Sequence, residues 1–309
     1  MQPDLTIRLV DISYVMYRRW HATRTAVVMG KVAEHDFNNA FVGGFKADIE
    51  RLHRYEQGPV PTLRQLYATT VFVFDCMRDK NWRKAVCPAY KTIERTERDY
   101  AMFDLTYNRV VPEMVNEFGI AQLRHPNAEA DDIVGVVKKH LAAAFPEMRF
   151  EIFTNDKDFL QLHCPRTRIV NIENESIYNR EMDRIAKRAR RDVERIESSK
   201  LLTMKILGGD PSDNIGPVGR LTFGEMETLA DDVDKLDDYR AAPGNNFDLN
   251  RQLMDMSCIP DDIQAGIMRA WAELIRDRHW TAVRVTVPAR RVRTTLSFAA
   301  ACAAKRTAV

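Results

Sequence analysis

Three short apolar runs of this chain each end in an acidic side chain. The runs are residues 7–10 before Asp11, residues 71–74 before Asp75, and residues 152–155 before Asp156. Runs of this length that are rich in Val, Ile and Phe are typical of buried β-strands. In an open parallel sheet, ligands bind at the carboxyl ends of the strands, so carboxylates distant in sequence are expected to meet at one edge.

Two further acidic groups extend this pattern, one at the start of a predicted helix and one near residue 210. Together the candidate ligands are Asp11, Asp75, Glu129, Asp131, Asp132, Asp156, Asp158, Asp210 and Asp213. Taken singly, each acid is better explained as a turn residue or a helix cap. So many acids at one place would repel each other unless cations lay among them. Hard oxygen ligands favour Mg²⁺ or Mn²⁺, and two such ions can cleave a phosphodiester.

Composition and charge indicate a soluble globular protein without a zinc site. The chain has 309 residues and a net charge of +2, so basic residues that bind a polyanion must be segregated locally. Five scattered cysteines favour free thiols in a reducing cytosol, and no Cys/His grouping indicates zinc. The sequence shows neither a signal segment nor a membrane span, so we expect a cytoplasmic protein with no membrane partner.

The order of predicted elements indicates an α/β fold with a central, mostly parallel sheet flanked by helices and a helical C-terminal region. We expect an α/β core over residues 1–190 and a helical DNA-binding region over residues 191–309. Helices are predicted from Asp36, over residues 105–118 and from Glu129 to about 145, with later strands at 150–154 and 168–171. Residues 78–98 have little apolar periodicity, so we expect a mobile loop or an exposed helix there.

That polar segment follows Asp75 directly and is rich in cations. Its basic residues are Arg83, Lys84, Lys91, Arg95 and Arg98. Such residues would bind a phosphate backbone, although a solvated charged loop is the usual alternative. Trp82 and Tyr90 lie among them and could stack on unpaired bases.

These motifs together resemble the flap endonuclease and 5′-3′ exonuclease superfamily over roughly residues 5–220. The motifs are Leu9-Val10-Asp11, Val73-Phe74-Asp75, Glu129-Ala130-Asp131-Asp132, Thr154-Asn155-Asp156-Lys157-Asp158 and Gly209-Asp210-Pro211-Ser212-Asp213-Asn214. Residues 158–163 and the helical C-terminus look most like the ribonuclease H of T-even phages. The resemblance implies the PIN-like fold of 5′ nucleases and makes residues 78–100 an arch over a single-stranded 5′ end.

The resemblance also assigns a role to each candidate residue. Around a first Mg²⁺ ion it places Asp11, Asp75, Asp131, Asp132 and Asp156, with Glu129 acting through water. Around a second ion it places Asp158, Asp210 and Asp213. It makes Lys91 and Arg83 the catalytic cations that contact the reacting phosphate.

One segment departs from the family pattern. Residues 215–224 lack the paired glycines and the following lysine of the duplex-binding turn. Arg220 could still assist phosphate binding there. The departure leaves open both a potassium site and the strength of duplex binding.

The implied activity is metal-dependent removal of 5′ flaps and RNA primers from branched or 5′-tailed duplex DNA and RNA–DNA hybrids in replication. The expected protein is a monomer in the cytoplasm, that of the host if a phage encodes it, and its C-terminus could contact a single-stranded-DNA-binding protein or another replisome partner. Two alternatives are a PIN-type ribonuclease and a non-catalytic nucleic-acid-binding scaffold. The arch-like segment and the acids at 210–213 argue against the first, and the retention of every acid argues against the second.

Overall fold

The computed structural model describes residues 6–54, 69–92, 97–190 and 195–277. Within these ranges the chain forms one five-stranded sheet whose strand pairs are all parallel, in the order β3-β2-β1-β4-β5. The strands are β1 (Thr6–Asp11), β2 (Thr69–Phe74), β3 (Ala121–Arg124), β4 (Arg149–Phe153) and β5 (Thr167–Val170). The predicted α/β class with a parallel central sheet is confirmed.

The central strand is β1, and its register brings the predicted site together. Val10 pairs with Phe72 of β2 on one side and with Phe153 of β4 on the other. Every residue of β1 is buried, as expected for a parallel strand covered on both faces. The chain order reverses between β1 and β4, and such a switch point is where open parallel sheets bind their ligands.

Helices cover both faces of the sheet and continue into the C-terminal region. They are α1 (Ile12–Val28), α2 (Phe37–Arg54), α3 (Arg83–Val86), α4 (Glu97–Asp104), α5 (Val111–Phe118), α6 (Ala130–Ala144), α7 (Ile177–Ala189), α8 (Ser198–Gly208), α9 (Phe223–Asp231), α10 (Val233–Arg240), α11 (Phe247–Met254) and α12 (Asp261–Asp277). A π-helical stretch, Leu105–Val110, separates α4 from α5, so the predicted helix over 105–118 forms with an irregular first part.

Two hydrophobic clusters fill the two sides of the sheet. On one side, Phe41 and Phe45 of α2 pack with Phe72 of β2. On the other side, the cluster contains Ile133 of α6 and Ile267 of α12. Helix α12 thus returns to the core although it lies late in the chain. The division at residue 190 stays a prediction.

A third cluster joins the C-terminal helices to the segment after β2. Tyr90 is buried among Leu207, Phe247 and Leu253. The expectation of a mobile loop or exposed helix over residues 78–98 is therefore wrong for the part that the structure describes. This part contains a 3-10 turn (Arg78–Lys80) and α3, and Trp82 is only 7% exposed.

Two other sequence expectations can be compared with the described residues. Cys76, Cys87, Cys164 and Cys258 are free thiols, as predicted. No helix in the described ranges is long and apolar enough to cross a bilayer.

Candidate metal centre and active site

The aspartates that end the predicted strands lie at the carboxyl edge of the sheet. Asp11 ends β1, caps α1 by accepting from the Tyr14 amide, and accepts from the Thr154 hydroxyl at 2.9 Å. Burial, the Asp75 carboxylate and, more weakly, Asp156 raise the pKa of Asp11 to about 7. The three acids that follow β1, β2 and β4 are therefore close enough to interact, as the parallel topology predicts.

Asp75 connects the edge of the sheet to helix α6. Its carboxylate accepts from the Ser13 hydroxyl at 2.5 Å and from the Ala130 amide at 2.8 Å. Burial and the charge of Glu129 raise the pKa of Asp75. A raised pKa means that the ionised form is costly here, and a cation would remove that cost.

The N-terminus of α6 supplies the next acids. Glu129 is the N-cap and forms a capping box with Asp132, because each side chain accepts from the other residue's amide. Burial would raise the pKa of Glu129, but Lys91 and Arg83 outweigh it and hold the pKa at about 2. Burial and Asp132 raise the pKa of Asp131 well above its usual range, although Arg83 opposes them.

The structure corrects the predicted roles of Arg83 and Trp82. Arg83 is 2% exposed, and its Nη1 and Nη2 atoms donate to Asp132 at 2.8 and 2.7 Å. The indole Nε1 of Trp82 donates to the same carboxylate at 3.0 Å. Asp132 is fully buried behind these donors, so its carboxylate oxygens are occupied by protein groups, and this geometry does not support its predicted place among the ligands of the first metal. Neither Arg83 nor Trp82 is open to a phosphate or a base.

Tyr90 needs the same correction, whereas Lys91 stays accessible. The buried Tyr90 hydroxyl donates to Glu129 at 2.7 Å and lies 3.0 Å from Asp213 Oδ2, so its ring is not free to stack on a base. Lys91 Nζ donates to Glu129 at 2.5 Å and lies 3.5 Å from Asp213. The Lys91 side chain is 24% exposed. Burial lowers the pKa of Lys91, but Glu129 and Asp213 outweigh it and raise the pKa above its ordinary value.

A second acidic group lies where α8 ends. Carboxylate oxygens of Asp158, Asp210 and Asp213 lie within 4.8 Å of one another. Asp158 follows Asp156 in a 3-10 turn (Lys157–Leu162) rather than in extended backbone as predicted, and its amide donates to Asp156. An all-oxygen donor set of this size fits a hard divalent cation.

Lys205 provides positive charge at this second group. Its ammonium contacts Asp158 and lies 3.2 Å from Asp210. Burial would raise the pKa of Asp210, but the Ser212 side chain and Lys205 outweigh it and lower the pKa. Burial raises the pKa of Asp213 even though Lys91 opposes it. Ammonium groups thus lie among both sets of acids, which shows that the site favours cations.

The remaining predicted basic residues are spread over the surface or lie outside the described residues. Lys84 is partly exposed and donates to the Pro88 carbonyl, and Arg220 is exposed just after the turn that follows Asp213. Arg95 lies outside the described residues, and so does the side chain of Arg98. Among the described residues, neither Lys84 nor Arg220 forms an ion pair with the acids of the site.

Sequence reasoning missed several residues that shape the site. Ser13 and Thr154 donate to Asp75 and Asp11, and Lys205 lies between the acids of the second group. Ser13 follows Asp11 by two residues and Thr154 precedes Asp156 by two, so proximity to a strand end was the available signal. Lys205 lies in the last turn of α8, where a cation is also explained by the helix dipole.

Comparison with known proteins agrees with this geometry. A sequence profile described as the 5′-3′ exonuclease N-terminal resolvase-like domain matches residues 6–189, more than half of the chain. DNA polymerase I of Treponema pallidum is 30% identical over 177 residues, which are 56% of this chain and 16% of that protein. A 5′-3′ exonuclease of Buchnera aphidicola is 25% identical over 178 residues, 54% of this chain and 57% of that protein. The chain thus spans about a sixth of the length of the first of these relatives.

Solved structures show the same fold. The bacteriophage T5 flap endonuclease, in a complex with DNA and metal ions, aligns with a TM-score of 0.57 at 14% identity and covers 87% of this chain and 98% of its own. The T5 5′-exonuclease with bound zinc ions gives a TM-score of 0.57, also at 14% identity, over 87% of this chain and 99% of that one. The chain belongs to the 5′-3′ exonuclease family and has a PIN-like fold with a helical C-terminal region.

Proposed function

We propose that this protein is a structure-dependent 5′ nuclease that hydrolyses phosphodiesters with two Mg²⁺ ions, for which Mn²⁺ could substitute. The observation that carries the proposal is the convergence of Asp11, Asp75 and Asp156 at one sheet edge, where burial and repulsion from neighbouring carboxylates raise their pKa values. Raised pKa values in a group of acids are typical of functional sites. The family match supports nuclease chemistry at this edge.

The residues divide between two proposed ion positions. Asp11, Asp75, Asp131 and Asp156 would hold the first ion, and Asp158, Asp210 and Asp213 the second. When bound, the ions would supply an activated water and offset charge on the scissile phosphate. Ser13 and Thr154 keep the carboxylates of Asp75 and Asp11 oriented toward the shared edge.

Buried and accessible cations have different proposed tasks. Lys91 is partly exposed, so we assign it the contact with the reacting phosphate once its ammonium leaves Glu129. Arg83 acts instead as a positioning residue, because it holds Asp132 in the capping box at the start of α6. Glu129 stays ionised with its pKa at about 2 and keeps Lys91 beside the acids.

The substrates that we propose are branched or 5′-tailed duplex DNA and RNA–DNA hybrids, including RNA primers. Support comes from relatives that are DNA polymerases I and from the T5 flap endonuclease complex with DNA. In this proposal residues 78–100 form the arch over the 5′ end, and residues 191–309 contact duplex DNA and a replisome partner. The protein would act as a cytoplasmic monomer.

Cleavage of end-labelled nicked, flapped and RNA-primed duplexes with varied metal tests the proposal. Asp156→Asn should abolish Mg²⁺-dependent cleavage, while Asp234→Asn, an exposed acid on α10, should leave it intact. Full activity of Asp156→Asn would contradict the site assignment. Tight binding of flapped DNA by the wild-type chain without cleavage in Mg²⁺ or Mn²⁺ would instead select the non-catalytic scaffold.

A further inference from the structure

A cleft of about 650 Å³ opens beside the second acidic group. Asp156, Asp158 and Asp210 line the part that adjoins the two proposed metal positions. Helices α7, α8 and α9 form the other walls, which contain none of the residues proposed above to hold an ion or contact the phosphate. Its volume falls within the roughly 300–1,000 Å³ of small-molecule sites in proteins.

One side of the cleft is apolar. Ile185 of α7, Leu202 of α8, and Phe223 and Met226 of α9 line it. Phe223 and Leu202 are only partly buried, so apolar surface faces the cleft. A flat aromatic ring can bury this surface, and stacking of nucleobases on aromatic side chains is a general mode of nucleic-acid binding.

The rim of the cleft is cationic. Arg184 and Arg188 lie one turn apart on α7, and both are exposed. The Arg188 guanidinium lies 5.1 Å from the centroid of the Phe223 ring. Glu181 is shared by Arg184 and Lys157, so two cations face one carboxylate and a net positive charge remains. Arginine pairs well with phosphate because its donors match the phosphate oxygens.

We propose that this cleft binds one nucleotide, with the base against Phe223 and Met226 and the phosphate at Arg184 and Arg188. The proposal rests on the proposed nuclease function for the class of ligand. A nucleotide of the substrate strand and a released mononucleotide share this chemistry. The position beside Asp158 and Asp210 suits either one, because both are present where the phosphodiester is cut.

Calorimetric titration of the full chain with deoxyadenosine monophosphate in EDTA tests the cleft without a contribution from divalent ions. We expect saturable binding that Phe223→Leu weakens by about tenfold, the loss of one base stack. Arg188→Gln should weaken it by a similar factor and reduce its dependence on salt. Arg24→Gln, an exposed arginine on α1 that pairs with Glu34, is the matched control and should leave binding unchanged.

Titrations with inorganic phosphate and with deoxyadenosine test the phosphate-binding part and the base-binding part of the cleft separately. Each alone should bind more weakly than the nucleotide. Equal affinity for phosphate, together with no effect of Phe223→Leu, would reduce the cleft to an anion patch and overturn the proposal, as would the absence of nucleotide binding.

A cleft-filling variant keeps the proposal testable if Phe223→Leu does not fold. Gly208 lies on the cleft wall, and a Cβ atom there would meet only Met226 Sδ at 3.7 Å, an ordinary contact. Gly208→Leu should therefore fold and block the nucleotide. A raised KM for a 5′-tailed duplex would assign the nucleotide to the substrate strand, and an unchanged KM with weaker inhibition by the mononucleotide would assign it to the product. Unchanged nucleotide binding by a folded Gly208→Leu protein would contradict the cleft.

The two proposals fail separately. Asp75→Asn should abolish cleavage and leave nucleotide binding in EDTA unchanged, because Asp75 does not line the cleft. Cleavage by a wild-type protein that binds no nucleotide would refute the cleft alone. Nucleotide binding by a wild-type protein that cleaves no substrate would refute the nuclease alone.

Discussion

Replacement of Arg83 by methionine is expected to lower the free energy of unfolding by about 3–5 kcal/mol, the usual cost of removing one partner of a buried ion pair. Methionine keeps the apolar stem and removes the guanidinium. The substitution leaves the Asp132 carboxylate, which is 0% exposed, without its bidentate partner. It also removes the bond from Arg83 Nε to the Leu253 carbonyl, 2.6 Å long.

The size of this loss follows from what remains around Asp132. The Trp82 indole and the Glu129 amide still donate to the carboxylate at 3.0 Å each, so the charge keeps part of its solvation. The unpaired Leu253 carbonyl adds about 1–3 kcal/mol if no water replaces the donor. Since whole domains are stable by only about 5–15 kcal/mol, the change is large enough to measure without ambiguity.

Urea unfolding followed by far-ultraviolet circular dichroism measures this difference. Lys84→Met is the matched control, because Lys84 is the next residue in the chain and is partly exposed where Arg83 is buried. It should change stability by less than about 0.5 kcal/mol. The double variant Arg83→Met/Asp132→Asn should recover part of the loss, since a neutral amide can still accept from Trp82 without an unpaired charge. With the single variant Asp132→Asn also measured, the change in the double variant minus the sum of the two single changes gives the coupling energy between the sites.

A loss below about 1 kcal/mol would refute this reasoning, because a fully buried pair cannot be removed so cheaply. If turnover on a tailed duplex fell at the same time, Arg83 would be a surface cation that contacts phosphate, as the family resemblance implies. The two readouts therefore distinguish a positioning residue from a catalytic one.

Three other outcomes are expected from the geometry of the acids. Lys91→Ala should lower kcat on saturating tailed duplex by about 10²–10³-fold, the typical effect of removing one donor to developing charge, and unchanged turnover would exclude the assigned role. Thr154→Val should weaken Mn²⁺ binding, measured by calorimetry, by about 10–100-fold because Asp11 loses an orienting donor, whereas exposed Thr228→Val should not. The pKa of Asp11 is raised to about 7 in the fold from about 3.9 in the unfolded chain, so the folded state binds the extra proton between these values. In EDTA the Tm should therefore fall as pH rises from about 5 to 7, and Mg²⁺ should reverse this fall. A Tm that rises over this range in both the wild type and Asp11→Asn would contradict the raised pKa of Asp11.

The edge of the sheet was predictable because its signals are local. A buried strand is recognised from four or five adjacent apolar residues, and parallel topology then brings the following residue to a common edge. Asp11, Asp75 and Asp156 satisfy both conditions. Their meeting point follows from the order of elements without any knowledge of individual contacts.

The segment after β2 was not predictable in this way because its partners are distant in sequence. Trp82 donates to Asp132 fifty residues later, and Arg83 donates to Leu253, 170 residues later. A charged run normally marks a solvated face, and no periodicity within residues 78–92 shows that two of its polar side chains are buried. Lys205 was missed for a related reason, since its acid partners come from two separate turns.

The burial of Arg83 also limits what the accessible cation can do. The side chains of Arg83, Trp82 and Tyr90 hold the start of α6 against the segment after β2. Lys91 is the next residue after this held segment, and its ammonium lies beside Glu129 and Asp213. A phosphate that draws Lys91 away would leave Glu129 beside fewer cations, and its pKa would rise from about 2. Phosphate contact by Lys91 and cation binding by the acids should therefore favour each other, because a bound divalent ion replaces the positive charge that Glu129 and Asp213 lose when the Lys91 ammonium moves to the phosphate.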